Sequence, residues 1–191
     1  MRFESRDEAE TEALGRRLGE VACPGMVVCL TGPLGAGKTA FVRGLASGLG
    51  IDEHRVHSPS FVTAVEHEGR LRLAHLDLYR HEAALPPPDW LAEMLDGPGV
   101  TAVEWSERLG ADEPRDALRV AIEYGGSPEA RVLTARAGGE RRTRFDRQHL
   151  GGADGTQFGQ RQMDAAGVLA DVGIDLPTGT VSPFTDSVGR H

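Results

Sequence analysis

Hydrophobic residues recur along this chain with two different spacings, and the switches between them mark its elements. Leu14, Leu18 and Val21 stand at helical spacing in an otherwise charged segment, which predicts a helix to about Ala22. Ser5 reads as its N-cap, and Glu8 three residues later completes a capping box. Arg2-Phe3-Glu4 reads as a short strand before it, and Cys23-Pro24-Gly25 breaks it. Met26-Val27-Val28-Cys29-Leu30 is a continuous apolar run, the pattern of a strand buried on both faces. Phe41, Leu45 and Leu49 recur every fourth residue, so a second helix follows, with Gly48 and Gly50 as its stop.

The next segment, 51–60, is irregular and polar. Phe61 to Val65 reads as a strand, Glu66-His67-Glu68-Gly69 as a turn, and Leu71 to Leu76 as the returning strand. Pro86-Pro87-Pro88 is a break. Trp90, Leu91, Met94 and Leu95 then suggest a short helix, ended by Gly97-Pro98-Gly99. Val100 to Trp105 is another apolar strand. Leu118, Val120, Ile122 and Tyr124 alternate strictly, so that strand is half buried. Arg131 to Arg136 follows across Gly125-Gly126-Ser127-Pro128. After about Gly138 apolar residues thin out among arginine, glycine, glutamine, aspartate and threonine. The organisation expected is one folded domain, 1–138, and a low-complexity, disordered extension, 139–191.

Between the first buried run and the second helix lies Gly32-Pro33-Leu34-Gly35-Ala36-Gly37-Lys38-Thr39, a full G-x-x-x-x-G-K-[ST] signature. Its glycines let consecutive N–H groups turn inward as an anion nest. The helix beginning near Lys38 adds the positive end of its dipole. Lys38 would reach the outer phosphates as a point charge, and the Thr39 hydroxyl would be a ligand for Mg²⁺. Strand, loop and helix occur in the order the motif requires. The fold class expected is therefore α/β: a P-loop NTPase-like mixed sheet with flanking helices, parallel at its core and antiparallel at its margin.

A phosphate loop binds nucleotide, and hydrolysis also needs a held metal and an oriented water. Asp77 and Glu104 each close an apolar run, where doubly wound sheets place their ligands. Ser58-Pro59-Ser60-Phe61 precedes a strand and reads either as a switch-like loop or as a simple turn. His75 reads as a structural hydrogen-bonding residue, since no second ligand stands at metal-binding spacing.

Composition narrows this further. Lys plus Arg number 21, yet the only lysine in the chain is Lys38. The formal charge is −8, a poor basis for autonomous nucleic-acid binding, so contact with RNA is expected through protein partners. There is no asparagine, which excludes the Asn-Lys-x-Asp guanine reader and favours adenine. Glutamine occurs only from Gln148 onward, leaving none in 1–138 to orient a water, so intrinsic hydrolysis is expected to be slow. Cys23 and Cys29 form no CxxC pair and read as structural thiols of a reduced protein. The acidic N-terminus has no signal-peptide core and no run reaches membrane-spanning length, so the expected location is cytoplasmic.

Taken together, GPLGAGKTAF, SPSF, HLDLYR and VEWSERL, in this order and spacing, resemble the TsaE (YjeE) family of bacterial P-loop ATPases in tRNA threonylcarbamoyladenosine synthesis. The resemblance covers about 3–137, including the helix with Thr11-Glu12-Ala13-Leu14-Gly15. It implies that Gly35, Ala36, Gly37, Lys38, Thr39 and Ala40 hold ATP, with Thr39 and Glu104 on Mg²⁺. Asp77 resembles a Walker-B-like catalytic acid acting with Lys38, Thr11 a position near the adenine, and Trp105 a functionally sensitive tryptophan beside the nucleotide. It also implies a TsaB–TsaD heterodimer as partner, whose transfer of threonylcarbamoyl to the adenosine beside the anticodon depends on ATP hydrolysis. Pro33 stands where the family usually has an acid, and Ser60 replaces a threonine. The segment after Gly138 has no counterpart there. The other functions compatible with the motif are a small-molecule kinase and a nucleotide-sensing protein without turnover.

Overall fold

The computed structural model describes residues 1–81 and 89–138. The expected break at Pro86-Pro87-Pro88 and the extension 139–191 lie outside the described residues. In chain order the elements are β1 (Arg2–Ser5), α1 (Glu8–Val21), β2 (Val27–Thr31), α2 (Lys38–Gly48), β3 (Ala64–His67) and β4 (Leu73–Asp77). They continue with α3 (Asp89–Leu95), β5 (Val100–Glu104), β6 (Leu118–Tyr124) and β7 (Arg131–Arg136). One mixed sheet runs β1-β7-β6-β2-β5-β4-β3. Its centre, β6-β2-β5-β4, is parallel, and the outer pairs β3–β4, β6–β7 and β1–β7 are antiparallel.

The two faces of the sheet bury different clusters. Val28, Leu30, Leu73, Val100 and Ala102 pack with Phe41, Leu45 and Leu49 of the α2 region. Val27, Cys29, Ala74, Leu76 and Val103 pack with Leu91 and Leu95 of α3. Since side chains alternate along a strand, His75, Asp77 and Glu104 fall on the α2 face. The buried strands also explain the chemistry of Cys29. Burial raises its thiol to about 12. At pH 8 an alkylating reagent is expected to modify Cys23, which is partly exposed, and to spare Cys29 until the protein unfolds. Mass spectrometry of the native protein showing Cys29 labelled as fast as Cys23 would contradict this.

Several boundaries differ from the sequence expectation. The N-cap of α1 is Asp7, whose carboxylate accepts from the Glu10 amide at 2.8 Å. Ser5 is instead the last residue of β1, paired with Arg131, and its hydroxyl pairs with that of Thr11 at 2.7 Å. Phe61 and Val62 are not in a strand. The amides of Val62 and Thr63 both donate to the Pro59 carbonyl, and the chain enters β3 only at Ala64. Gly48 lies inside α2, and Gly50, at φ +76°, makes the turn after it. Trp105 falls outside β5: at φ +58° it is left-handed and turns the chain out of the sheet.

The helices α1 and α2 cross at glycines. A Cβ on Gly15 would lie 2.1 Å from the Phe41 carbonyl oxygen, and one on Gly44 1.9 Å from that of Glu12. Gly19 and Gly48 are equally close to the opposite helix, each 2.2 Å from a carbonyl oxygen. The buried face of α1 is accordingly Thr11, Gly15, Leu18 and Gly19, while the expected Leu14 and Val21 pack partly buried at its margin. Arg43 of α2 ties the same crossing at the surface through Glu8 and Glu12.

Candidate functional site

At the carboxyl end of β2 the chain turns sharply into the loop before α2. Gly32 takes φ +138°, and a Cβ there would meet the Ile122 carbonyl oxygen of β6 at 2.1 Å. Gly37 caps α2 at φ +101° and brings no side chain, so the first amides of the helix keep no side-chain acceptor. Ala36 and Ala40 are buried, so their share in the loop's surface is backbone.

The outer wall of the loop comes from residues that no sequence motif marks. The Tyr124 hydroxyl donates to the Leu34 carbonyl at 2.6 Å, and Arg131 Nε donates to the Ala36 carbonyl at 3.0 Å. The Arg131 guanidinium also lies 5.2 Å from the Tyr124 ring centroid. In a trans peptide the N–H points opposite to the C=O. Holding the carbonyls of Leu34 and Ala36 outward therefore aims the amides of Gly35 and Gly37 the other way. Tyr124 and Arg131 escape a sequence reading because they come from β6 and β7, some ninety residues after the loop. Thr11 of α1 stands behind the loop. Its hydroxyl is engaged by Ser5 and by the Asp7 carbonyl, and its methyl lies 3.7 Å from where a Gly37 Cβ would be.

Lys38 is almost wholly buried, 4% exposed. Its ammonium donates to the carbonyls of Gly32 at 2.6 Å and Pro33 at 2.9 Å, and sits 3.8 Å from the Trp105 ring centroid. The left-handed Trp105 backbone is what folds that ring back over the loop, with Tyr79 at 4.9 Å as its neighbour. Burial lowers the affinity of Lys38 for its proton, and the charges of Glu104, Glu107 and Asp77 oppose that shift. The region thus holds a desolvated cation among acids, a setting in which charge interactions are stronger than in water.

The acids occupy paired positions, since Asp77 and Glu104 are register partners on adjacent parallel strands. The Thr39 hydroxyl lies 2.9 and 3.1 Å from the two Glu104 carboxylate oxygens. His75 Nε2 approaches the same carboxylate at 2.9 Å. Asp77 is turned to the loop before β3: it accepts from the hydroxyls of Ser58 and Ser60, and from the Tyr79 amide at 2.8 Å. The structure thus gathers Lys38, Thr39, Glu104 and Trp105 at one place, with Asp77 beside them and Thr11 behind. Among the described residues, no group of three or more His, Cys, Asp or Glu side chains assembles into a metal cage.

The family profile described as Threonylcarbamoyl adenosine biosynthesis protein TsaE matches residues 5–132. The chain belongs to the TsaE family. TsaE of Nostoc is 42% identical over 137 residues, which cover 66% of this chain and 81% of the relative. TsaE of Bacillus subtilis is 37% identical over 142 residues, covering 74% of this chain and 88% of the relative. In three dimensions the chain resembles the crystal structure of Bacillus subtilis YdiB. The TM-score is 0.61 at 34% identity, covering 73% of this chain and 86% of that one. The TsaE match ends at 132, inside β7, so it includes the Arg131 wall of the phosphate loop and stops before 139–191.

Proposed function

We propose that this chain binds and hydrolyses ATP with Mg²⁺ as the nucleotide-driven component of tRNA threonylcarbamoyladenosine synthesis. It acts on a TsaB–TsaD heterodimer, which transfers the threonylcarbamoyl group to the adenosine beside the anticodon, and it meets tRNA only through those partners. The observation that carries the reading is the Lys38–Thr39–Glu104 constellation at the mouth of the loop, in which Lys38 and Glu104 are buried and Thr39 is half-buried. The residues fit a magnesium ion that arrives with its nucleotide. Mg²⁺ commonly takes one or two protein oxygens and completes its shell with phosphate and water, and Thr39 and Glu104 offer a hydroxyl and a carboxylate in contact. Bound there, the ion would neutralise charge on the phosphates.

The chain's own groups divide the remaining work. The loop amides and Lys38 bind and orient the phosphates; Lys38 then stabilises charge that develops in the transition state. Trp105 covers the lysine from water, with Tyr79 packed against the indole. Asp77 holds the Ser58–Ser60 loop and is the acid available to a water or to the metal's outer shell. No helix among the described residues is long and apolar enough to cross a membrane. The cytoplasm, where tRNA is modified, is the proposed place of action.

Phosphate release measured with and without purified TsaB and TsaD tests this. The expected result is slow release alone and faster release with both partners. Binding of ATP with no turnover in either condition would instead establish a nucleotide sensor. That reading is favoured by one observation: the Asp77 oxygens are already engaged by Ser58, Ser60 and Tyr79. Transfer of phosphate to a metabolite would establish a kinase.

The wall of the loop makes a separate prediction. Arg131→Ala is expected to weaken ATP binding by about 5–15-fold, as expected for losing one or two hydrogen bonds that shape a site. Isothermal titration of the variant checks it, and unchanged affinity would show that the Ala36 peptide holds its orientation without the guanidinium.

A further inference from the structure

We infer that His75 is a positioning residue that holds the Glu104 carboxylate in place for the metal ion; this rests on the Mg·ATP reading above. His75 sits in β4 between register partners Val65 of β3 and Ala102 of β5, so its backbone is fixed by strands on both sides. Its ring is fully buried. A polar ring in that position costs free energy unless its hydrogen bond is satisfied, whereas an aliphatic side chain would cost nothing there. Its one hydrogen bond among the described residues joins Nε2 to Glu104 at 2.9 Å, and Nδ1 is buried with no partner. A carboxylate accepts, so the contact is one in which the ring N–H at Nε2 donates to Glu104.

Glu104 therefore has two neighbours of different kinds. Thr39 contacts both carboxylate oxygens but is itself a proposed metal ligand. His75 is the contact that comes from a rigid central strand and is free of that second duty. Outer contacts of this type orient the ligand, and their loss typically costs about 10–100-fold in metal affinity. Apolar periodicity gives no hint of this, because a buried histidine and a buried aliphatic residue occupy the same place in a strand pattern.

The test compares His75→Leu, which removes the donor, with His75→Gln, whose side-chain amide can place an N–H near the Nε2 position. Mn²⁺ binding to the full chain in the presence of ATP is followed by electron paramagnetic resonance, alongside metal-free ATP affinity and thermal unfolding. His75→Leu is expected to weaken Mn²⁺ binding by about 10–100-fold while leaving metal-free ATP affinity within about twofold, and His75→Gln to restore most of the loss. Wild-type Mn²⁺ affinity in folded His75→Leu overturns the inference, as does an equal loss in both variants. Where His75→Leu does not fold, His75→Asn takes its place, since its shorter amide reaches the Nδ1 side; weakening by His75→Asn but not by His75→Gln supports the inference, and equal behaviour overturns it. Absence of ATP-dependent Mn²⁺ binding in the unsubstituted chain overturns the Mg·ATP reading itself, and the inference with it.

Discussion

Lys38→Arg is expected to lower ATP turnover with TsaB and TsaD by about 100-fold, although it preserves the charge. That loss corresponds to about 2.7 kcal/mol of transition-state stabilisation, the scale measured when one preorganised electrostatic contact is removed from an active site. The reason is shape. The ammonium of Lys38 is a compact donor fitted between two loop carbonyls and the face of Trp105, in a pocket that leaves the side chain almost no exposure. A planar guanidinium is wider, carries its donors in a fixed fork and cannot occupy that place without moving the loop or the indole. The sequence carries the same message independently, because, of the 21 Lys and Arg residues, this is the one that is not arginine. Phosphate release by the purified variant with the proposed partners TsaB and TsaD measures the effect, and turnover within about threefold of the unsubstituted protein would remove the assignment.

The largest effect on stability is expected at Gly44. Helix propensity alone predicts that Gly44→Ala stabilises α2 by up to about 1 kcal/mol. The crossing predicts the opposite, because the added methyl would stand 1.9 Å from a backbone oxygen of α1. Backbone on both sides cannot yield as a flexible side chain would, so the helices must separate. Overpacking of this kind costs about 1–3 kcal/mol, occasionally more, and the looser packing along the rest of the crossing adds to it, so the penalty outweighs propensity. The expected outcome is a net loss of about 1–2 kcal/mol and a fall in Tm of about 2–8 °C for a domain of this size. Gly126→Ala is the control, since nothing lies within 4 Å of a Cβ there. A Gly44→Ala protein that melts at or above the unsubstituted temperature would show that the two helices have slack the structure does not display. Nucleotide affinity should fall with it, because α1 carries Thr11 against Gly37 at the loop.

Much of the architecture was legible from apolar spacing. The β2 run, the α2 face and the alternation of β6 are each strong local signals, and each element is present. The differences arise where a tertiary contact outweighs the local one. Ser5 has the right chemistry for a cap, yet β1 pairs with β7 through that residue and its hydroxyl goes to Thr11, leaving Asp7 to cap the helix. Phe61 and Val62 look like strand residues, yet Ser58 and Ser60 are drawn to Asp77 and hold that stretch as a turn, with both apolar side chains exposed. Gly48 looks like a stop, yet its missing side chain serves the crossing with α1.

The phosphate loop was readable in the sequence because every part of it is local. A turn that needs glycines, a lysine and a threonine at fixed offsets, and a flanking strand and helix all fall within about two dozen residues, and local backbone sterics decide their shape. The family resemblance was readable for the same reason, as four short motifs in order. The groups around the loop were decided only by the sheet. Register between β4 and β5 sets Asp77 beside Glu104, and side-chain alternation turns His75 and Glu104 to the face of α2. The antiparallel return of β6 and β7 brings Tyr124 and Arg131 to carbonyls some ninety residues earlier in the chain. No local pattern encodes such contacts, because they depend on which strands become neighbours, and that is settled by burying two apolar faces of one sheet at once.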